Sequence, residues 1–119
     1  MRELAALVYS LTRIYTAAVD TLTAVAEPAR RRILDALLEG ERLVGDLSSK
    51  LAIAQPSVSK HLAVLRSAGL VRVRPDAQRR YYSLRAEPLR DIDAWLMPYR
   101  QRWADALDAL EDHLDRQEQ

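Results

Sequence analysis

The residues of this chain best suited to chemistry lie between Gln55 and Leu65. Gln55, Ser57, Ser59 and Lys60 are polar and surround Pro56, while Val58, Leu62 and Leu65 recur at the spacing of one helical face. A helix with that pattern carries polar side chains on its opening turns above an apolar stripe that fixes its angle. The major groove of DNA admits one α-helix, and the second helix of a helix-turn-helix enters it N-terminus first. Gln pairs bidentately with adenine, Ser serves base or phosphate, and Lys reaches guanine or a phosphate. Gln55, Pro56, Ser57, Ser59, Lys60 and His61 are therefore the candidate reading residues. His61 falls at the edge of the apolar stripe, where a structural hydrogen bond and a DNA contact suit it equally.

Few other chemistries are on offer. Cysteine is absent, which removes disulfides and thiolate metal ligands. The two histidines are far apart in sequence, no glycine-rich phosphate loop exists, and the carboxylates fall on a solvated helix face. No enzyme is expected, and no cofactor. The longest apolar runs fall well short of the ~18 residues that span a bilayer. Glu3, Ser10, Thr12 and Arg13 interrupt any signal-peptide core. The expectation is a soluble cytoplasmic protein, working at the nucleoid, with no membrane partner.

Charge is divided along the chain. The net value is +1, yet residues 1–85 carry 14 basic and 8 acidic side chains and residues 86–119 carry 4 and 9. Between Gln55 and Arg85 stand Lys60, Arg66, Arg72, Arg74, Arg79, Arg80 and Arg85, against the single acid Asp76. Such a concentration suits a polyanion, because contacts to phosphates release condensed counterions.

The elements that must position these residues are legible in the apolar spacing. With 49% hydrophobic residues, no Phe and few other aromatics, the core must be mostly Leu, Val, Ile and Ala. Leu4, Leu7, Val8, Leu11, Ile14 or Tyr15, Ala18 and Leu22 predict one amphipathic helix over residues 2–25. Pro28 suits the first position of a second helix, whose stripe is Ile33, Leu34, Leu37 and Leu38 and which Gly40 ends. Arg30, Arg31 and Arg32 lie in its first turns, where they oppose the helix dipole; Arg30 and Arg31 are read as phosphate contacts. A short third helix covers 44–51, with Leu43, Leu47 and Leu51 inward, and the fourth runs from Gln55 to Ser67, stopped by Gly69. After Gly69 the period changes to 2. Val71 and Val73, then Tyr82 and Leu84, predict a β-hairpin around the four-residue turn Pro75-Asp76-Ala77-Gln78. Arg72, Arg74, Arg79, Arg80 and Tyr81 make that hairpin a basic wing. From Pro88 the helical period returns through Leu89, Ile92, Leu96, Tyr99, Trp103, Leu107, Leu110 and Leu114, with a kink or restart expected at Pro98.

The fold class is thus mostly α with a small β-hairpin: a winged helix-turn-helix over 28–85, flanked by long helices over 1–25 and 88–117, in a single domain. The terminal helices are too long to pack on so small a core. Their surplus faces, with Leu4, Leu7, Leu11, Leu96, Tyr99, Trp103, Leu107, Leu110 and Leu114, are expected to bury against a second copy. Trp95, Tyr99 and Trp103 are read as packing residues before any ligand site.

Four segments carry a closer likeness: Glu27-Pro28-Ala29-Arg30-Arg31-Arg32-Ile33-Leu34, Val44-Gly45-Asp46-Leu47, Gln55 through Val71, and Arg79-Arg80-Tyr81-Tyr82-Ser83-Leu84. In order and spacing they resemble the ArsR/SmtB family of winged-helix repressors, over roughly residues 20–114. The resemblance implies a homodimer, joined through its terminal helices, that binds a near-palindromic operator and represses its own or a neighbouring gene. Metal sensing is not implied. Where the family's metal sensors carry two cysteines, this chain has Leu43 and Gly45. Asp91 and Asp93 match only the first half of the family's second metal site: residues 104–107 hold no His, and His113 is followed three places on by Arg116. The C-terminal half resembles metal-independent members with a Tyr-Arg-x-x-Trp element, here Tyr99-Arg100-Gln101-Arg102-Trp103. Ala54 departs from the Ser that often caps the reading helix, a cap worth ~1 kcal/mol. The rival readings are a winged-helix adaptor that binds protein, and a repressor responding to a metal or small ligand at a non-standard site. The operator and any effector are not written in the sequence.

Overall fold

The computed structural model describes residues 2–118, with the side chains of 2–12 and 20–118. The stripe positions Ile14, Tyr15 and Ala18 lie outside the described side chains. Five helices and three strands follow in the order α1 (Arg2–Ala26), α2 (Pro28–Leu37), β1 (Arg42–Leu43), α3 (Val44–Leu51), α4 (Gln55–Ser67), β2 (Val71–Asp76), β3 (Arg79–Leu84) and α5 (Leu89–Gln117). No helix among the described residues is long and apolar enough to cross a membrane.

The core forms where the helical stripes converge. Ile33, Leu47, Leu62, Leu65, Leu70 and Val58 are fully buried, with Leu34, Leu37, Leu51 and Val71 around them. Each such side chain contributes about 1.5–3 kcal/mol through removal from water. The seam between α3 and α4 rests on α2 and α4 also meets β2, so the angle of α4 is set from behind by three elements.

Local chemistry fixes the joints. α3 ends on Ala52, in the left-handed region at φ 54 and ψ 44, and Ser48 Oγ donates to the Ile53 carbonyl at 2.5 Å to hold the turn. α4 ends in a Schellman motif. The Gly69 amide donates to the Arg66 carbonyl (3.0 Å) and the Leu70 amide to the Leu65 carbonyl (2.9 Å), with Gly69 at φ 76. Leu70 and Leu65 are both fully buried beneath it.

The sheet is antiparallel in the order β1-β3-β2. Two features differ from the sequence expectation. The wing turn is not four residues but two, Ala77 and Gln78, because Pro75 pairs with Arg80 and Asp76 with Arg79. Pro75 is accommodated because β2 is an edge strand, where a missing N–H deprives no neighbour. The third strand, β1, is the other addition: Arg42 pairs with Tyr82 and Leu43 with Tyr81, tying the wing's base to the start of α3.

The terminal helices depart from compactness. α5 is one helix that does not restart at Pro98, and it packs along α1 with no fully buried residue. A compact chain of this length has a radius of gyration of about 13–14 Å; this one measures 20.0 Å.

Candidate nucleic-acid interface

The first turns of α4 present Gln55, Pro56, Ser57, Ser59 and Lys60 to solvent, above the buried row Val58, Leu62 and Leu65. His61 is half-buried at the edge of that row. The capping position is Ala54, which offers no side-chain acceptor to the first amides, and no acid occupies the first turn. The end of α4 aimed outward is therefore electropositive and uncovered.

The strand register divides the wing into two faces, because paired residues of an antiparallel ladder point the same way. Val71 with Leu84, Val73 with Tyr82 and Pro75 with Arg80 form the inner face, whose base packs on the core. Arg72 with Ser83, Arg74 with Tyr81 and Asp76 with Arg79 form the outer face. Arg80 is thus separated from the other three wing arginines and turns toward α4. There it lines a cleft with Ser59, Arg66, Ser67 and Tyr82. Arg66, counted with the basic residues in the sequence but not singled out as a contact, joins the interface here. Its signal was available: it stands seven residues after Ser59, two helical turns along the same face.

Arg74 is engaged within the chain. Its Nη2 and Nε donate to the two carboxylate oxygens of Glu41, at 2.7 and 3.3 Å, and its guanidinium lies 4.6 Å from the Tyr81 ring centre. The hydrogen bond from Arg74 holds the Glu41 carboxyl below its usual range, and the same bond raises Arg74. By contrast Lys60, Arg66, Arg72, Arg79 and Arg80 have no carboxylate partner among the described residues.

Arg30 and Arg31 have a structural role that the sequence did not reveal. Far from weakening local structure, they close the C-terminus of α1. Arg30 donates to the carbonyls of Ala24 (2.6 Å) and Thr23 (3.1 Å), and Arg31 to those of Val25 (2.8 Å) and Ala26 (2.9 Å). Arg32 does the same for α3, donating to the Leu51 carbonyl at 2.7 Å. The chain folds back at Glu27, so cations that oppose the dipole of α2 sit against the negative end of α1. These bonds engage the same guanidinium groups that the sequence reading assigned to phosphate.

On the terminal helices, Leu4, Leu7, Leu11, Tyr99, Trp103, Leu107, Leu110 and Leu114 are exposed, and Leu96 is half-buried. Trp95 and Tyr99 stack with ring centres 5.1 Å apart, but neither they nor Trp103 enters the core of this chain. Asp93, half of the metal-site likeness, is paired to Arg100 at 2.5 Å.

Known proteins share this arrangement. The family described as "Bacterial regulatory protein, arsR family" matches residues 27–73. The transcriptional repressor SdpR of Bacillus subtilis is 36% identical over 80 residues, which is 67% of this chain and 89% of SdpR. The transcriptional activator HlyU of Vibrio cholerae is 48% identical over 67 residues, 56% of this chain and 62% of HlyU. Among solved structures, reduced HlyU of Vibrio cholerae superposes with a TM-score of 0.61 at 38% identity, covering 76% of this chain and 96% of that one. NolR of Sinorhizobium fredii gives 0.62 at 35% identity, covering 76% and 91%. The chain belongs to the ArsR family of bacterial regulatory proteins and is a DNA-binding transcriptional regulator, built on a winged helix-turn-helix.

Proposed function

We propose that the chain acts in the cytoplasm, at the nucleoid, as a homodimeric repressor on a near-palindromic operator. α4 enters the major groove with Gln55, Ser57, Ser59 and Lys60 toward the base edges, and His61 borders the same face. Arg66 and Arg80 hold one phosphate strand from the cleft between α4 and the wing, while Arg72 and Arg79 lie along the next. The observation that carries this reading is the exposed, short polar row of α4 flanked by Arg66, Arg72, Arg79 and Arg80, none of which has a carboxylate partner among the described residues. SdpR, aligned over 89% of its own length, is named a repressor, and this supports that sign of regulation.

Dimerisation through α1 and α5 is supported by the apolar row on each and by the extended shape of the single chain. Selection of duplexes from a random pool tests the proposal. It should enrich an inverted repeat whose half-sites lie about one helical turn apart, roughly 34–36 Å, or a multiple of it. Enrichment of an unpaired half-site would remove the dimer, and no enrichment at all would remove the reader.

A further inference from the structure

The wing arginine least available to DNA is Arg74, and its partner is 33 positions away in sequence. Glu41 lies in the turn before β1, beside the row Leu43–Tyr81–Arg74 that crosses all three strands. Glu41 grips Arg74 through both carboxylate oxygens, Asp76 stands 4.0 Å from the same guanidinium, and Tyr81 lies beneath it. Two carboxylates and a ring thus surround one cation, while its neighbours Arg72 and Arg79 have no such partner. A guanidinium held by a bidentate carboxylate brings little net charge to a phosphate while the pair lasts, so it adds little counterion release.

Resting on the DNA-binding reading above, we infer that Glu41 is a positioning residue that holds Arg74 off the phosphate backbone, limiting the wing's sequence-independent affinity. The contact also ties the wing to the turn between α2 and α3, so the same pair sets the wing's tilt relative to α4. A regulator benefits from such restraint, since non-specific sites compete with its operator across the whole genome.

The test is a double-mutant cycle read by DNA binding across a salt series, on both a selected operator and an unrelated duplex. The neutral pair adds little to the slope of log K against log salt, and Arg74→Ala alone should weaken binding to both duplexes modestly by leaving Glu41 as a bare carboxylate. Glu41→Ala should free the guanidinium, steepen that slope by about 0.9, and tighten binding to the unrelated duplex several-fold at low salt. Glu41→Ala combined with Arg74→Ala should return to wild type. A Glu41 that merely supported the fold would give the opposite sign, because its loss would weaken binding. Two results overturn the inference while leaving the DNA-binding reading intact: a slope about 0.9 shallower than wild type in the combined variant, or a combined variant that binds the unrelated duplex more tightly than wild type. Salt-independent behaviour of the wild-type protein would overturn both.

Discussion

Arg30 reaches back across the bend at Glu27 to donate from Nε to the Ala24 carbonyl at 2.6 Å, and so terminates a helix to which it does not belong. The last turn of α1 has no basic residue of its own. The first turn of α2 supplies the missing cations, and Arg31 adds two further bonds to Val25 and Ala26. Arg31→Ala should therefore lower stability by about 1 kcal/mol, seen as a melting temperature reduced by roughly 3–6 °C. Its salt slope for DNA should match wild type. A slope shallower by about 0.9 would return Arg31 to the phosphate contacts.

The turn between α3 and α4 holds two alanines in positions that other residues fill better. Ala52 is left-handed, at φ 54, where a Cβ costs roughly 1 kcal/mol. Ala54 caps α4 without a side-chain bond. Ala52→Gly and Ala54→Ser should each stabilise the protein by about 0.5–1 kcal/mol. Calorimetry of the two variants would show raised melting temperatures; a fall in either would mean the turn relaxes differently from the geometry described here.

Trp103 is 58% exposed in the single chain, beside Leu107 at 66%. Aromatic and leucine side chains at such exposure along one helix fit the proposed dimer seam. Trp103→Ala should shift sedimentation toward monomer and weaken operator binding, while the circular dichroism stays helical. An unchanged dimer would move the seam to another face.

Arg66 and Arg80 share the cleft between α4 and the wing. Arg66→Ala and Arg80→Ala should each make the salt slope shallower by about 0.9 and weaken all sequences alike. A change confined to one base position would instead make either residue a base reader.

Much of this architecture was written in the apolar spacing. The stripes Ile33–Leu34–Leu37, Leu47–Leu51 and Val58–Leu62–Leu65 are continuous and local, so helical periodicity located α2, α3 and α4 and the exposed face of α4. The long rows on α1 and α5 were equally plain, although the place of Trp95, Tyr99 and Trp103 outside the core was not. Non-local pairings lay out of reach. β1 is two residues long and exists only because β3 is beside it. The tight turn at Ala77 and Gln78 follows from strand register, which turn composition at Pro75-Asp76 pointed away from. Most of all, charge was countable but its partners were not. Arg30, Arg31 and Arg74 looked like Arg79 and Arg80 in sequence, and only the fold shows that the first three are already engaged.

The central claim is that the exposed polar row of α4 reads DNA, and Ser57 tests it most directly because it is exposed and supports no core residue. The measurement is fluorescence anisotropy of a labelled duplex, carrying the site selected by wild-type protein, titrated with wild type and with Ser57→Asp at fixed low salt. The account predicts tight, salt-sensitive binding by wild type and its loss in the variant, with unfolding transitions that coincide. Operator binding by Ser57→Asp equal to wild type would contradict it.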